Sequence, residues 1–227
     1  MLKILHLYYD IMNMYGESGN IMALKDALDK EKVKYKIDCK SLHDKINFLE
    51  YDFIYIGTGQ EESYSLVLED LKKYKEDLKK YIESNKILLA TGNALDLFSD
   101  IQILKFKSNK EDFRIIGEQT YTSNLIKHYI IGFQNRNTVI KENLETPLFK
   151  VTTGTGYTPN EKEEGIRKNN FYGTYLLGPL LIRNPYLLEY FVRTLLENKK
   201  MPYKALPHDI AYKAYNEYLN NFINKEQ

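Results

Sequence analysis

Hydrophobic positions in the first hundred residues alternate between short continuous runs and helically spaced sets. The runs over 2–9, 51–56 and 87–90 have strand length and are almost wholly apolar, as expected for strands buried on both faces of a parallel sheet. An alternating run over 33–39 predicts another strand. Apolar residues three and four apart predict helices over 21–28 and 63–84, and a third helix opens after 91. The first half thus predicts a β-α-β-β-α-β-α order around a mostly parallel sheet.

The second half of the chain has a different texture. Shorter apolar runs over 113–117, 128–133 and 148–153 predict strands separated by polar loops. Amphipathic patterns predict helices over 185–197, where a proline stands first, and over 209–224. No internal repeat and no linker rich in proline or serine divides the chain, so we expect a single domain over 1–227.

Composition narrows the function by exclusion. The 32 Lys and Arg balance 31 Asp and Glu, which gives no electrostatic case for nucleic acid or an anionic membrane. No apolar stretch reaches the ~18 residues of a membrane span, and no secretory signal opens the chain, so we expect a cytoplasmic protein. The one cysteine, Cys39, excludes an intrachain disulfide and a Cys-rich zinc site. No histidine spacing suggests a metal site, and no motif calls for a cofactor.

Three segments follow predicted strands at the edge where open α/β sheets bind ligands. Gly-Thr-Gly-Gln at 57–60 is either an anion-binding loop of free backbone N–H groups or a plain tight turn. Ala-Thr-Gly-Asn-Ala at 90–94 has the small residues of a nucleophile elbow, or is a tight β–α turn. Its centre, Gly92, carries no side chain, and the neighbouring Thr91 hydroxyl would need an activating base. The third segment, 165–185, is by itself only structural.

A family resemblance begins in that third segment. The run Gly-Thr-Tyr-Leu-Leu-Gly-Pro-Leu-Leu-Ile-Arg-Asn-Pro at 173–185 resembles the histidine-bearing run of cobyric acid synthase-type class I glutamine amidotransferases. It is most similar to the glutaminase subunits of lipid II isoglutaminyl synthases, which serve peptidoglycan biosynthesis in bacteria. The segments 14–20, 57–60, 132–135 and 154–165 resemble further family motifs in the family's order. The likeness therefore extends along most of the chain.

The resemblance implies a fold, a chemistry and a partner. The fold is a three-layer, flavodoxin-like α/β fold with a mostly parallel central sheet and helices on both faces. In the family, a cysteine on the elbow attacks the glutamine amide, a histidine moves the proton, and backbone N–H groups hold the oxyanion. The implied partner is a Mur-ligase-like synthetase subunit, and the implied ligand is glutamine or another small molecule. The implied substrate-binding residues are Gly57, Thr58, Gly59, Asn93, Gln134 and Asn135.

This chain departs from the family at both reactive positions. The family's elbow run, Cys-Gly-Gly-Tyr-Gln, places the nucleophile at Gly92, with Thr91 as an alternative register. The histidine position falls on Leu177. Cys39 lies near His43 at the end of the second strand and is interpreted as a structural thiol.

Three hypotheses about function follow. The first is a catalytically degenerate glutaminase subunit, a pseudoenzyme that acts as a partner or regulatory subunit of the synthetase. The second is a residual or unusual amidase or glutaminase that uses Thr91, for which the sequence offers only Arg136, Asp96 and Glu residues as bases. The third is a small-molecule binding module whose pocket is more apolar because Leu177 replaces a polar ring. Whether the chain is an enzyme is left open by the sequence.

Overall fold

The structure is a computed structural model, and it describes residues 1–223. Its strands are β1 (Leu2–Leu7), β2 (Tyr35–Lys40), β3 (Phe53–Ile56), β4 (Ile87–Thr91), β5 (Phe106–Thr122), β6 (Ile130–Asn143), β7 (Thr146–Thr153), β8 (Glu163–Lys168) and β9 (Phe171–Thr174). Its helices are α1 (Ser18–Lys30), α2 (Glu61–Lys72), α3 (Lys75–Glu83), α4 (Ala94–Asp100), α5 (Leu180–Arg183), α6 (Pro185–Asn198) and α7 (Ile210–Ile223). A short 3₁₀ turn covers Phe48–Glu50.

The strands form a mixed sheet with the order β2-β1-β3-β4-β9-β8-β7-β5-β6. The pairs joining β2, β1, β3, β4 and β9 are parallel. The pairs joining β9, β8, β7, β5 and β6 are antiparallel. The prediction of a mostly parallel sheet is therefore wrong for the second half of the chain, where hairpin connections replace helical crossovers.

Helices cover both faces of the parallel half, as expected. Alternate strand residues such as Ile54 and Ile56 pack with the apolar sides of α2, α3 and α4. Their neighbours Phe53 and Tyr55 pack on the opposite face with α1, α5 and α6. This two-sided burial explains the continuous apolar runs in the sequence.

The helix predicted over 63–84 is two helices. The chain breaks at Lys73 and Tyr74, between α2 and α3. Tyr74 donates a hydrogen bond from its hydroxyl to the Asp44 carbonyl at 2.7 Å, and its ring lies 5.2 Å from that of Phe48. These tertiary contacts fix a backbone conformation outside the helical region, which the periodicity of the sequence does not report.

The second half contains longer strands than the sequence predicts. The runs over 113–117 and 128–133 are parts of the long β5–β6 hairpin, whose register shifts between Lys110 and Ile115. Strand β8 was not predicted, because its sequence Glu-Glu-Gly-Ile-Arg-Lys is mostly polar. The predicted C-terminal helix is confirmed over α7, while its expected last residue, Asn224, lies outside the described residues.

Candidate ligand site at the strand–helix elbow

Gly92 forms a sharp turn between β4 and α4. Its φ is +58°, in the left-handed region that favours glycine. Its N–H donates to the Thr174 carbonyl at 2.8 Å and to the Leu176 carbonyl at 3.2 Å. A Cβ at this position would overlap Oγ1 of Thr58 and lie 2.9 Å from the Thr58 Cβ. The turn therefore has the backbone of a nucleophile elbow, with Thr58 in the space that a side chain would need.

The glycine loop at 57–60 lies beside this elbow. A Cβ at Gly57 would be 2.5 Å from the Cβ of Glu17, and one at Gly59 would be 2.8 Å from the Ile11 carbonyl. Close packing alone thus requires both glycines. The Gly59 N–H donates to the Asn93 carboxamide oxygen at 3.0 Å, and the Asn93 amide group donates to the Gly59 carbonyl at 2.9 Å.

Glu17 lies beneath the elbow as a fully buried carboxyl group. It accepts hydrogen bonds from the Thr91 hydroxyl at 2.8 Å, from the Gly178 N–H at 3.0 Å, and from the Tyr55 hydroxyl. Burial raises its pKa, and these hydrogen bonds oppose the shift. Asn20 extends the network by donating to the Tyr55 hydroxyl at 2.7 Å. The polar segment after β1 therefore joins β3, the elbow and the turn before α5.

Leu177 lies next to the elbow in the turn after β9. Its N–H donates to the Phe133 carbonyl at 3.0 Å, and its side chain is buried. The preceding carbonyl, of Leu176, accepts from Gly92. The structure therefore brings the segments of Gly92 and Leu177 together, as the resemblance implies.

A second buried polar cluster surrounds Tyr175. The Arg136 guanidinium lies 4.2 Å from the centre of the Tyr175 ring, an arrangement that favours a cation–π contact. The Tyr175 hydroxyl donates to Asp96 at 2.7 Å, and its N–H donates to Glu164 at 2.7 Å. Burial raises the pKa of Asp96, and it raises that of Glu164 to about 7.

These groups adjoin a cavity of about 550 Å³ at the carboxyl edge of the parallel strands. Its lining combines polar and charged side chains with apolar surface, and Leu177 is not among the residues that line it. On its rim, Glu61 at the start of α2 pairs with Arg114 at 3.2 Å and with Lys110 at 3.6 Å. Arg114 also donates to the Asn135 carboxamide oxygen at 3.1 Å.

The cavity contains only part of the expected site. The expected residues that line it are Thr58, Gly59, Gly92, Asn93 and Asn135. The other expected residues are buried and do not line it: Gly57, Thr91, Gln134 and Leu177. Gln134, for example, is fully buried and donates to the Tyr121 hydroxyl at 2.8 Å.

Three polar residues of this region are Glu17, Asp96 and Tyr175. The sequence gives no site role to Glu17 or Tyr175, and it offers Asp96 only as a base whose distance from Thr91 it does not fix. The signal for Glu17 was the polar, glycine-bearing segment directly after the first strand. No local pattern fixed the position of Asp96 or the contacts of Tyr175, because each is surrounded by apolar sequence.

Cys39 and the histidines do not join the cavity. Cys39 is exposed on β2, the edge strand. Over residues 1–223 the structure contains no cluster of three or more metal-ligating side chains. Among its helices, none is long and apolar enough to cross a membrane.

Comparison with known proteins identifies a family and relatives that this chain resembles. The model of the CobB/CobQ-like glutamine amidotransferase domain matches residues 3–92. The chain is 30% identical to the lipid II isoglutaminyl synthase (glutamine-hydrolyzing) subunit GatD of Streptococcus pneumoniae, over 99% of this chain and 90% of that relative. It is 29% identical to the same subunit of Staphylococcus aureus, over 94% and 91% of the two chains.

Solved structures at low identity share the fold. PurLQS from Thermotoga maritima matches with a TM-score of 0.64 at 13% identity, over 88% of this chain and 99% of that one. The glutaminase domain of CTPS from Trypanosoma brucei, with bound acivicin, matches with a TM-score of 0.61 at 9% identity, over 90% and 96%. Near-complete coverage of a relative at 30% identity, together with the elbow and the mixed α/β sheet, leads to one conclusion. The chain belongs to the CobB/CobQ-like glutamine amidotransferase family.

Proposed function

We propose that this chain is a glutamine amidotransferase-like subunit that is degenerate in glutaminase chemistry. The observation that carries the proposal is Gly92, which occupies the elbow with a φ of +58° and offers no nucleophile. Thr58 fills the volume that a side chain at position 92 would occupy, so the packing of the site leaves no room for such a side chain. Losing the nucleophile alone removes most of the rate of a covalent mechanism.

Two further features support the loss of chemistry. Leu177 supplies no ring nitrogen where the resemblance implies the histidine, and its buried side chain does not line the cavity. Cys39, the only thiol, is exposed on the edge strand β2. The sequence contains no other cysteine that could serve as the nucleophile.

The role that remains is that of a partner. Both curated relatives are described as subunits of a glutamine-hydrolyzing synthase, and the match covers nearly the whole of this chain. We propose that the chain binds a Mur-ligase-like synthetase as a scaffold or regulatory subunit. That synthetase would then use free ammonia rather than ammonia released from glutamine.

Thr91 meets one condition for catalysis and fails another. Its hydroxyl donates to the Glu17 carboxyl group at 2.8 Å, so an acceptor for its proton is in reach. The side chain is fully buried and lies outside the cavity lining, so a substrate in the cavity cannot reach it. We therefore interpret Thr91 as part of the structural network of Glu17.

The cavity favours ligand binding as a second candidate function. Its volume of about 550 Å³ suits a small polar molecule, and its rim carries charges of both signs. Calorimetry with glutamine, glutamate and muropeptide fragments tests this function. Saturable heat with one of them, without ammonia release, supports a binding module.

The direct test of degeneracy measures ammonia from glutamine. We expect the purified chain to release none above the buffer rate, next to an active glutaminase as positive control. A pull-down from the source cells asks whether a Mur-ligase-like protein co-purifies, and the eluate is assayed for ammonia as well. Ammonia release by the purified chain at an ordinary enzymatic rate would refute the proposal.

A restoration experiment tests the assigned positions. The structure indicates that Gly92→Cys with Leu177→His is insufficient, because the new Cβ overlaps Thr58. We expect the triple variant with Thr58→Gly to accept the cysteine. The matched control combines Gly92→Ala with Leu177→His and Thr58→Gly, so it lacks only the thiol. Ammonia release by the cysteine variant alone would support the assignment of Gly92 and Leu177.

A further inference from the structure

Asn93 stands at the N-terminal boundary of α4 without capping that helix. Asparagine is a preferred N-cap because its side chain accepts from backbone N–H groups in the first turn. Here the Asn93 side chain makes no such bond. It turns instead toward the glycine loop.

The Asn93 carboxamide pairs with Gly59 at both of its ends. Its oxygen accepts from the Gly59 N–H at 3.0 Å, and its amide group donates to the Gly59 carbonyl at 2.9 Å. Only one orientation of the carboxamide satisfies both backbone groups. On another side of residue 59, Met12 and the Ile11 carbonyl occupy the position that a Cβ would take, so this loop residue is glycine.

Asn93 and Gly59 both line the cavity, so the pairing lies on its surface. The backbone edge of Gly59 offers one donor and one acceptor side by side. A primary carboxamide matches that pair, whereas a carboxylate provides an acceptor and no donor. The protein therefore fills a carboxamide-recognition edge with a side chain of its own.

We infer that Asn93 is an autoinhibitory side chain that occupies the Gly59 edge and competes with ligands carrying a primary carboxamide. The inference rests on the proposed function, since it concerns the same degenerate site. It adds an obstacle to carboxamide binding that is independent of the missing nucleophile. Two neutral hydrogen bonds of this kind correspond to roughly 10- to 100-fold in affinity.

The test uses acetamide as the probe and the backbone amide signal of Gly59 in NMR as the readout. We expect acetamide to move this signal at a concentration at least about 10-fold lower in Asn93→Ala than in the unmodified chain. Acetate should show a smaller gain, because it cannot donate to the Gly59 carbonyl. The matched control is Asn137→Ala, an asparagine that lines the same cavity and makes no hydrogen bond to Gly59. It should titrate like the unmodified chain.

A second variant guards against loss of folding. Asn93→Asp keeps the shape and the acceptor but loses the donor. Its affinity for acetamide should therefore lie between that of the unmodified chain and that of Asn93→Ala. Equal acetamide affinity in the unmodified chain and both Asn93 variants would overturn the inference, as would an equal gain in Asn137→Ala. Ammonia release from glutamine is measured on the same samples. Release by the unmodified chain would refute the degenerate-glutaminase proposal and leave the acetamide comparison intact, so the two failures are distinguishable.

Discussion

Glu164 is the buried carboxyl group whose ionisation we expect to affect stability most visibly near neutral pH. It lies on β8 with no exposed surface, and it accepts from the Thr174 hydroxyl at 2.9 Å and the Tyr175 N–H at 2.7 Å. Burial raises its pKa from 4.5 to about 7, although Tyr175, Thr174 and the Arg136 charge oppose the shift. The desolvation of the carboxylate therefore outweighs its hydrogen bonds.

The sign of the effect follows from proton binding. Between the unfolded pKa of 4.5 and the folded pKa of about 7, the folded chain holds a proton on Glu164 that the unfolded chain has released. Stability therefore falls as pH rises through this window. The full separation corresponds to about 3 kcal/mol, and the part between roughly pH 5 and 7.5 to about 2 kcal/mol.

The perturbation is Glu164→Gln, which keeps an acceptor for the Tyr175 N–H and cannot ionise. We expect the difference in unfolding free energy, wild type minus variant, to decrease by about 2 kcal/mol between roughly pH 5 and 7.5. The assay is urea unfolding at several pH values with matched ionic strength. The comparison uses the difference between the two proteins because His6 changes the free energy of unfolding in the opposite direction over an overlapping pH range. Burial lowers its pKa from 6.5 to about 4, so its contribution to stability rises with pH.

Two outcomes would refute the reasoning about Glu164. A difference between the two proteins that stays constant across this pH range would show that the pKa of Glu164 is not raised. A difference that increases with pH below about pH 4.5 would show that its hydrogen bonds outweigh burial. Glu163→Gln is the matched control, because Glu163 is an exposed neighbour on the same strand. It should leave the pH dependence unchanged.

Three further predictions concern folding stability. Gly92→Ala should lower the free energy of unfolding more than Gly16→Ala does, because both glycines have positive φ but only Gly92 faces Thr58. Equal losses in chemical unfolding would contradict the crowding at Gly92. Asn184→Ala should lower the unfolding free energy by about 2–4 kcal/mol, since its buried side chain bonds the N–H and carbonyl of Ile131, and a cost under about 0.5 kcal/mol would contradict this. His6→Leu should remove part of the acid sensitivity below about pH 6.5, since its buried Nε2 has no hydrogen-bond partner in the described residues, and an unchanged acid midpoint would contradict this.

The parallel half of the fold was predictable because burial on both faces leaves a direct mark on sequence. Strands such as β3 and β4 are buried at every residue, so they read as continuous apolar runs. The antiparallel half leaves a weaker mark. In β5 most of the residues are partly or fully exposed, and its bulge interrupts the alternation. Length and pairing there depend on partners far along the chain.

The candidate site shows the same division. The glycine at the elbow was recognisable, because small residues around a strand–helix turn are a local pattern. The contacts that build the site are not local. Glu17 meets Thr91 across 74 positions and Gly178 across 161. No spacing rule connects residues that far apart, so the sequence indicates Glu17 only as a member of the polar motif over 14–20.

The contacts that hold the elbow do not depend on a side chain at position 92. The backbone of Gly92 is fixed by the carbonyls of Thr174 and Leu176, and Glu17 ties the neighbouring Thr91 to the turn at Gly178. None of these contacts uses a side chain at position 92 or at position 177. A non-glycine residue at a φ of +58° would cost about 1–2 kcal/mol, and glycine removes that cost. If hydrolysis is lost as we propose, selection for stability alone favours glycine at this turn, while the surrounding cavity is retained.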